Sequence, residues 1–376
     1  MRIAIVNRTN LKNYGSLLQS FALCEAVRQL GYEAEIIWED GSIYKNYDLR
    51  LQKIVSILFK LFFHPKLMKS TLNDVKTVQR STISEKTVKC FDEFINKNIT
   101  RKYYKPSQMT KRNVGSRYDK FICGSDQVWC STTLYVDPLM YLRFAPKNKR
   151  IAYAPSLGRN YIPNYNRRKM RRYINDIPFV SVRESTGERL IKELTGRDVP
   201  VTVDPTLLIP IEHWDTLKTP QNLKERYVLC YFLSTPTQET QKKLYSFIAD
   251  KGDVVIALNS RLEYLENKMK VLYPDCGPSE FIGFVSDARY VFTDSYHGML
   301  FSIMYQKEFW SVEREYGEFD QSSRQRSLLE TIGLTNRYID KNRDFSLDVI
   351  DYGSVETCLN KEILKSQKYL KEALDE

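Results

Sequence analysis

The sequence predicts an α/β protein with two Rossmann-like domains that face a cleft. Short apolar runs of strand length alternate with segments of helical period along most of its 376 residues. This alternation is typical of parallel sheets covered by helices. It breaks at residues 208–225, where proline and scattered charge interrupt the pattern, and then restarts. A chain of this length also fits two domains better than one.

The first forty residues predict a strand, a loop, a helix and a second strand. The strands are expected at residues 3–6 and 34–38, and the helix at residues 16–30, where Gly31 supplies the C-terminal stop. This βαβ start predicts a parallel sheet. Further strands are expected at residues 120–123, 151–154, 179–182 and 199–203, with helices at 167–175 and 185–194.

The second half repeats the pattern. Strands are expected at residues 227–233, 254–258, 290–292 and 308–311, and helices at 237–250, 278–285, after residue 297, at 322–332 and at 355–374. We therefore expect an N-terminal domain over residues 1–215, a C-terminal domain over residues 222–345 and a C-terminal helix within residues 346–376.

The formal charge of +11 comes from one segment. Residues 41–117 hold 17 of the 57 Lys and Arg but only 5 of the 46 Asp and Glu, which leaves 40 basic and 41 acidic residues elsewhere. Helical patterns at residues 51–69, up to a His64-Pro65 break, and 82–98 make this segment a basic helical insertion in the first domain. Charge confined to one insertion suits an attachment device better than a nucleic-acid surface, so no nucleic-acid partner is expected.

Two interpretations of the insertion stay open. In one, a basic amphipathic helix lies on an anionic membrane. Its apolar face would then be Ile54, Leu58, Leu61 and Phe62, with Lys53, Lys60, Lys66 and Lys69 at the rim. In the other, the helix packs on the first domain and its basic face is solvated.

Composition also limits the protein class. The seven cysteines are dispersed without Cys-x-x-Cys pairs, which argues against a disulfide framework and against a zinc site. No run approaches the roughly 20 apolar residues of a membrane span. We expect reduced thiols, no metal and a cytoplasmic protein, with the inner face of the plasma membrane as a site of peripheral attachment.

A histidine marks the most suggestive turn in the chain. The apolar run at residues 290–292 stops at Thr293-Asp-Ser-Tyr-His-Gly, and a helix-like apolar segment follows. His297 is thus expected in the first helical turn at the carboxyl end of a strand. Open α/β sheets bind ligands there, and free backbone N–H groups favour a phosphate. The alternative is a histidine that only packs or caps the helix.

Two other segments place polar groups after strands. In Asn13-Tyr-Gly-Ser-Leu-Leu-Gln, Gly15 permits close backbone approach and Ser16 can cap the first helix. Gly124-Ser-Asp-Gln-Val-Trp gathers carboxylate, amide and aromatic groups that suit a carbohydrate, although a turn cap would equally explain Asp126. The residues expected to bind the acceptor are Gly124, Ser125, Asp126, Gln127 and Trp129.

Arginines supply the candidate anion contacts. Arg183 follows an apolar strand, from which its planar fork can reach a phosphate or carboxylate. The alternative is a salt bridge, either with Glu184 or one that caps the next helix. Arg324 and Arg326 open a later helix, where they are either solvated or directed at an anion.

In combination and order, these segments resemble the polysaccharide pyruvyl transferase family. The resemblance covers residues 1 to about 335, apart from the basic insertion. The matching pieces are Asn13-Tyr-Gly-Ser-Leu-Leu-Gln with Ala22-Leu23, Gly124-Ser-Asp-Gln-Val-Trp, Tyr153-Ala-Pro-Ser-Leu-Gly, Val182-Arg-Glu-Ser, Val203-Asp-Pro-Thr-Leu-Leu and Thr293-Asp-Ser-Tyr-His-Gly.

The resemblance implies a glycosyltransferase-B-like fold and pyruvyl transfer from phosphoenolpyruvate to a sugar diol, giving a cyclic ketal and phosphate. No cofactor is expected beyond this donor substrate, and the acceptor is expected to be a surface glycan or its lipid-linked precursor. His297 would be the proton donor, and Arg183 would hold anionic groups. The other residues expected around the donor are Asn13, Gly15, Ser16, Ser295, Tyr296, Gly298, Arg324 and Arg326.

Two positions depart from the family pattern. Ser295 stands where some members have an arginine, so Arg324 or Arg326 would have to compensate, and Cys130 stands where asparagine is frequent.

Two other functions are compatible with the same sequence. A nucleotide-sugar glycosyltransferase would share the two-domain architecture, and a non-enzymatic basic protein would bind membrane or nucleic acid through residues 41–117.

Overall fold

The chain forms two parallel-sheet domains, each covered by helices. The computed structural model describes residues 1–7, 12–37, 49–63, 84–221, 223–314 and 322–376. The N-terminal sheet has the order β3-β2-β1-β4-β5-β6 and all its pairings are parallel. Its strands are β1 (Arg2–Val6), β2 (Glu33–Ile37), β3 (Arg101–Lys102), β4 (Lys120–Cys123), β5 (Arg150–Ala152) and β6 (Phe179–Val180).

The C-terminal sheet repeats this topology. Its order, β12-β11-β10-β7-β8-β9, is the same doubly wound arrangement, again with parallel pairings. Its strands are β7 (Tyr227–Tyr231), β8 (Val254–Leu258), β9 (Val271–Leu272), β10 (Tyr290–Thr293), β11 (Glu308–Val312) and β12 (Tyr338–Ile339). The prediction of two Rossmann-like domains is confirmed.

The helices alternate with these strands along the chain. The first domain carries α1 (Tyr14–Gln29), α2 (Leu49–Phe63), α3 (Glu85–Asn98), α4 (Val114–Arg117), α5 (Asn164–Asn175), α6 (Ser185–Thr195) and α7 (Ile211–Leu217). The second carries α8 (Gln238–Ile248), α9 (Glu263–Glu266), α10 (Pro278–Asp287), α11 (Tyr296–Met304) and α12 (Ser323–Thr331), and α13 (Tyr352–Asp375) closes the chain.

Buried strands explain the apolar runs of the sequence. Every residue of β4, β7 and β8 is buried, because helices cover both faces of a parallel sheet. Within the ranges given above, no helix combines the length and the apolar composition that crossing a bilayer requires.

One predicted strand is wrong, and one helix was not predicted. The strand expected at residues 199–203 is reduced to one bridge between Val182 and Val201. The interval at 208–225, where the predicted pattern breaks, contains α7, whose Trp214 is completely buried and packs edge-on against Phe301. α7 has only seven residues, too few to show a helical period in the sequence.

Helices from both halves fasten the domains together. From α1, Tyr14 donates to the carbonyl of Cys276 at 3.0 Å and stacks on Phe281 of α10 with ring centroids 4.8 Å apart. α13 returns to the first domain, where Ser366 Oγ accepts from the Val203 amide at 2.9 Å. These contacts fix the relative position of the two sheets and hence of the residues at their edges.

In the described part of the basic insertion, the two long helices α2 and α3 differ in their surroundings. α3 packs between the domains: Thr87 Oγ1 accepts from the Cys276 amide at 3.1 Å, and Phe91 stacks on Tyr14 at 5.1 Å. The helix predicted from residue 51 ends at Phe63, before the His64-Pro65 break. Lys66 and Lys69, expected at a membrane rim, lie outside the described residues, as does the side chain of Lys53.

Candidate active site

The two sheets present their switch points to each other. In each domain the strand order reverses beside the first strand, between β1 and β4 and between β7 and β10. Ligands of doubly wound sheets bind outside the carboxyl ends of the strands at such points. The turns that follow β4 and β10 carry Asp126 and His297, so both sequence-predicted segments reach the same interdomain region.

The first turn of α1 forms one wall. Asn13, not Ser16, caps this helix: its side-chain oxygen accepts from the Ser16 amide at 3.0 Å. The Ser16 hydroxyl is thereby left to donate to Asp126 Oδ2 at 2.6 Å. Sequence reasoning placed the right residues here but exchanged their roles.

The loop after β4 brings Asp126 to the interface. Gly124 has φ +123°, and a Cβ there would lie 2.0 Å from the carbonyl oxygen of Tyr153, so only glycine fits. The Ser125 amide donates to Gln19 Oε1 at 3.1 Å, which ties the loop to α1. The carboxylate of Asp126 makes no cap to its own turn, so the cap interpretation is wrong.

Arg183 is enclosed by two carboxylates. Its Nη1 donates to Asp204 Oδ2 at 2.6 Å and its Nη2 to Asp126 Oδ1 at 3.3 Å, and its side chain is completely buried. The guanidinium also lies over the ring of Tyr296, 4.5 Å from the centroid. Arg183 therefore joins the two domains at the site, and carboxylates of the chain itself hold both terminal nitrogens of its fork.

The neighbouring Glu184 does not pair with Arg183 as the alternative interpretation required. It is also completely buried, and its Oε1 accepts from the Ser156 hydroxyl at 3.0 Å and the Leu157 amide at 2.9 Å. Glu184 thus fastens the loop after β5 beneath the site.

Asp204 reaches His297 across the domain boundary. Its Oδ2 lies 3.3 Å from His297 Nε2, and its Oδ1 accepts from the Thr206 amide and hydroxyl at 3.1 and 2.9 Å. The separation is that of an ion pair, although the ring N–H is not aligned for a hydrogen bond. We refer to Asp126, Arg183, Asp204 and His297 as the Asp–Arg–His cluster.

Charge within this cluster keeps both acids ionised. Burial alone would raise the pKa of Asp126, but Arg183, followed by His297, outweighs it and lowers the pKa to about 2. At Asp204, burial is outweighed by His297 and then Arg183, which hold the pKa well below its ordinary value. Such weak bases hold the neighbouring cations in place and do not accept a proton near neutral pH.

A glycine of α1 makes room for the imidazole. A Cβ built on Gly15 would lie 2.0 Å from His297 Nδ1, so any side chain at residue 15 would displace the ring. The backbone of one domain thus touches the histidine of the other. Gly15 was predicted for close approach to a ligand, and the structure shows it approaching the histidine.

The helix that carries His297 is positioned by its own cap. Ser295 Oγ accepts from the Gly298 amide at 3.3 Å, and a Cβ on Gly298 would lie 2.5 Å from Thr293 Oγ1. Asp294 anchors the same turn by accepting from the Leu233 amide at 2.6 Å. These residues fix the entry into α11, so His297 projects from its first turn as predicted.

The two candidate arginines of α12 differ sharply. Arg324 is 7% exposed and lies 5.6 Å from the centroid of the Tyr296 ring. In the described part of the chain no carboxylate lies within 4 Å of its guanidinium, and its Nε has no hydrogen-bond partner. Burial and the charge of Arg183 lower the pKa of Arg324 to about 10, so it remains a cation at neutral pH.

Arg326 faces away from this cation. Its guanidinium stacks on Tyr338 at 4.1 Å, its Nη2 lies 3.6 Å from Glu313 Oε1, and its side chain is 44% exposed. Between the two alternatives that the sequence left open, only Arg324 offers an unpaired charge beside the cluster.

Two other residues predicted to bind the acceptor, Trp129 and Gln127, pack against the protein itself. Trp129 is 1% exposed, stacks on Tyr141 at 4.9 Å and donates to the Met140 carbonyl, so it offers no ring face to a sugar. Gln127 lies against Gly158, where a Cβ would come within 2.5 Å of its amide nitrogen. Trp129 therefore supports the loop after β4 from the core.

Sequence reasoning missed Asp204 as a site residue. The sequence did contain a sign of it, because this acid follows the apolar residues 199–203 and precedes Pro205, at the same sheet edge as the other motifs.

Among the described side chains, no three of His, Cys, Asp or Glu converge to hold a metal ion. A cavity of about 450 Å³ lies at the opposite end of α11, between Ile303, Leu208 and Leu359, away from the cluster.

Several solved structures match most of the chain at low sequence identity. They include a UDP-GlcNAc 2-epimerase from Neisseria meningitidis bound to UDP-GlcNAc (10% identity, 99% of this chain and 94% of that chain, TM-score 0.48). A UDP-GlcNAc 2-epimerase from Methanocaldococcus jannaschii in complex with UDP-GlcNAc and UDP has 10% identity (96% and 93%, TM-score 0.44). The E. coli ADP-heptose lipopolysaccharide heptosyltransferase II has 11% identity (97% and 99%, TM-score 0.39).

The match to a family of sequences identifies the protein more specifically than these structures do. No curated protein matches the chain. The family model of polysaccharide pyruvyl transferase matches residues 13–316, a span that includes every member of the Asp–Arg–His cluster. Because this match covers well over half of the chain, the protein belongs to the polysaccharide pyruvyl transferase family.

Proposed function

We propose that this protein transfers a pyruvyl group from phosphoenolpyruvate to a sugar of a bacterial surface polysaccharide or its lipid-linked precursor. The product is a cyclic pyruvate ketal, and phosphate is released. Family membership supports a transferase that acts on a glycan. The observation that carries the reaction is the pairing of His297 with the buried carboxylate of Asp204 at 3.3 Å, next to the unpaired Arg324.

Ketal formation from an enol phosphate begins with a proton. A proton added to the methylene carbon makes the methyl group, and positive charge develops on the adjacent carbon. A first sugar hydroxyl forms a C–O bond there, the C–O bond to phosphate breaks, and a second hydroxyl closes the ring. Overall, one hydroxyl proton ends on the methyl carbon and the other leaves with phosphate.

His297 is the proposed proton donor. The carboxylate of Asp204 lies on the Nε2 side of the ring, 3.3 Å away. Nδ1, on the ring edge that meets Gly15, is then the nitrogen left to deliver the proton. A positioned general acid contributes about 10²–10⁴-fold to the rate.

Arg324 is the proposed partner of the donor's phosphate or carboxylate. Both terminal nitrogens of Arg183 already donate to carboxylates, one to Asp204 and one to Asp126. Arg183 therefore holds these two side chains in position and adds positive charge to the site. A buried cation without its own carboxylate suits an incoming anion. The loop at residues 124–127, on the opposite wall, is the proposed acceptor side.

The test is phosphate release. Purified protein is incubated with phosphoenolpyruvate and a panel of water-soluble and lipid-linked galactosides, mannosides and glucosides, and the ketal methyl group is sought by NMR. We expect acceptor-dependent phosphate release that His297→Gln reduces by at least about 100-fold. Nucleotide release from nucleotide sugars, without turnover of phosphoenolpyruvate, would instead identify a glycosyltransferase.

We propose that the reaction takes place in the cytoplasm, at the inner face of the membrane where the acceptor is lipid-linked.

A further inference from the structure

α2 turns its apolar side outward. Its large apolar side chains recur at intervals of one, three, one, three and one residues, which places them along one face of the helix. Each is between 53% and 80% exposed. This apolar stripe consists of Ile54, Val55, Leu58, Phe59, Phe62 and Phe63.

The opposite face of α2 is held against the first domain. Lys60 Nζ donates to Asn166 Oδ1 at 2.6 Å and lies 4.9 Å from the centroid of the Tyr165 ring. Burial and the charge of Lys169 lower the pKa of Lys60 to about 8. Lys60 was expected at the rim and Leu61 on the outer face, but both are half-buried. The orientation of the helix is therefore set by α5, with the apolar stripe left in solvent.

α5, the helix that Lys60 contacts, is strongly basic. Five of its twelve residues are Lys or Arg, and Arg168, Arg171 and Arg172 are exposed. An exposed apolar patch is commonly an interaction site, and neighbouring charge selects the partner. A second copy docking on the same face would bring two basic helices together, which disfavours a symmetric dimer.

We propose that α2 is a membrane-surface helix: the apolar stripe lies at the boundary of headgroups and acyl chains, and the arginines of α5 contact anionic headgroups. The helix lies along the bilayer and does not cross it. This surface stands independently of the reaction proposed above, and it would bring the protein to acceptors that are lipid-linked.

Vesicle co-sedimentation of the full chain tests this surface. We expect binding at low salt to vesicles of equal parts phosphatidylglycerol and phosphatidylcholine, little binding to phosphatidylcholine alone, and loss of binding as salt rises. Phe59→Ser with Phe62→Ser should weaken binding by at least about tenfold. Val349→Ser with Leu364→Ser, which changes two side chains that are 85% and 64% exposed elsewhere, should leave it intact.

Three outcomes would overturn the proposal: no binding to anionic vesicles at low salt, equal loss in both double variants, or a dimer in solution that the phenylalanine variant dissociates. Charge reversal by Arg168→Glu with Arg172→Glu should weaken binding to anionic vesicles. Phosphate release with a water-soluble acceptor serves as the separate readout, because the phenylalanine variant should retain it. If the unmodified protein fails to bind anionic vesicles at low salt but has that activity, the membrane surface is ruled out and the proposed reaction is unaffected.

Discussion

Asp204 and His297 belong to different domains, yet Oδ2 of the acid lies 3.3 Å from Nε2 of the imidazole. The same oxygen accepts from Arg183 at 2.6 Å. One buried carboxylate therefore holds a cation from its own domain and faces the proposed proton donor of the other. The same side chain thus takes part in one contact between the domains and in the proposed chemistry.

Replacing Asp204 by Asn should lower turnover. The substitution keeps the shape but removes the negative charge 3.3 Å from His297 Nε2, so kcat/KM should fall by about 10–100-fold at neutral pH. Asp126→Asn is the matched control, since it removes the other carboxylate on Arg183 but leaves the acid next to His297. Steady-state kinetics measure both variants. An equal fall in kcat/KM in both would reduce Asp204 to a structural partner of Arg183.

Gly15→Ala should disable the site without unfolding the protein. Its Cβ would come within 2.0 Å of His297 Nδ1, so the imidazole must leave its position 3.3 Å from Asp204. We expect turnover to drop by at least about tenfold, because small displacements of a catalytic group carry large rate penalties. Gly353→Ala is the control: Gly353 is also the second residue of a helix, but a Cβ there makes only ordinary contact at 3.4 Å. Activity equal to wild type in Gly15→Ala would contradict the tight packing.

Arg324→Gln should weaken use of phosphoenolpyruvate. Hydrogen bonds to charged groups contribute about 1.5–3 kcal/mol, so kcat/KM for the donor should fall about 10–100-fold. Arg326→Gln, two residues along the same helix, removes a cation already paired with Glu313 and should change it by less than about threefold. Steady-state kinetics at saturating acceptor measure both. The reverse ranking would assign the donor site to Arg326.

Arg324→Met should leave stability unchanged or increase it. Arg324 is buried, and no carboxylate of the described residues lies within 4 Å of it, so an apolar side chain of similar length avoids the desolvation cost. Thermal unfolding of the free protein should show an equal or higher Tm, together with lost turnover. A marked fall in Tm would mean that Arg324 serves the fold and not the donor.

Acid should destabilise the protein through Asp126. The pKa of this carboxyl is about 2 in the folded state, below the value of about 3.9 in an unfolded chain. Its contribution is therefore fully present above about pH 4 and is lost as pH falls towards about 2, amounting to about 2 kcal/mol. Urea unfolding of wild type and Asp126→Asn should show a stability difference that narrows over this interval. A constant difference would mean that Asp126 is not held ionised by Arg183.

Much of the site could be predicted because its residues follow strands. Asp126 and His297 come directly after β4 and β10, and parallel strands place all such turns at one edge. Asp204 directly follows the strand predicted at residues 199–203, but its contact with His297 depends on how the two halves of the chain dock, which no local pattern shows. Trp129 was misassigned because an aromatic residue in a loop can face either the core or a ligand, and here it packs on Tyr141.

Sequence alone determined the order of elements, the two α/β halves, the family motifs and the concentration of charge in residues 41–117. Apolar periodicity and turn residues are local properties, so they can be read without a fold. Only the tertiary structure decided which face of each helix is buried. Arg324 and Arg326 project from opposite sides of α12, and α2 is amphipathic with its apolar side in solvent. The pairing of Asp204 with His297 likewise required both domains to dock, because their contact joins residues that no local pattern links.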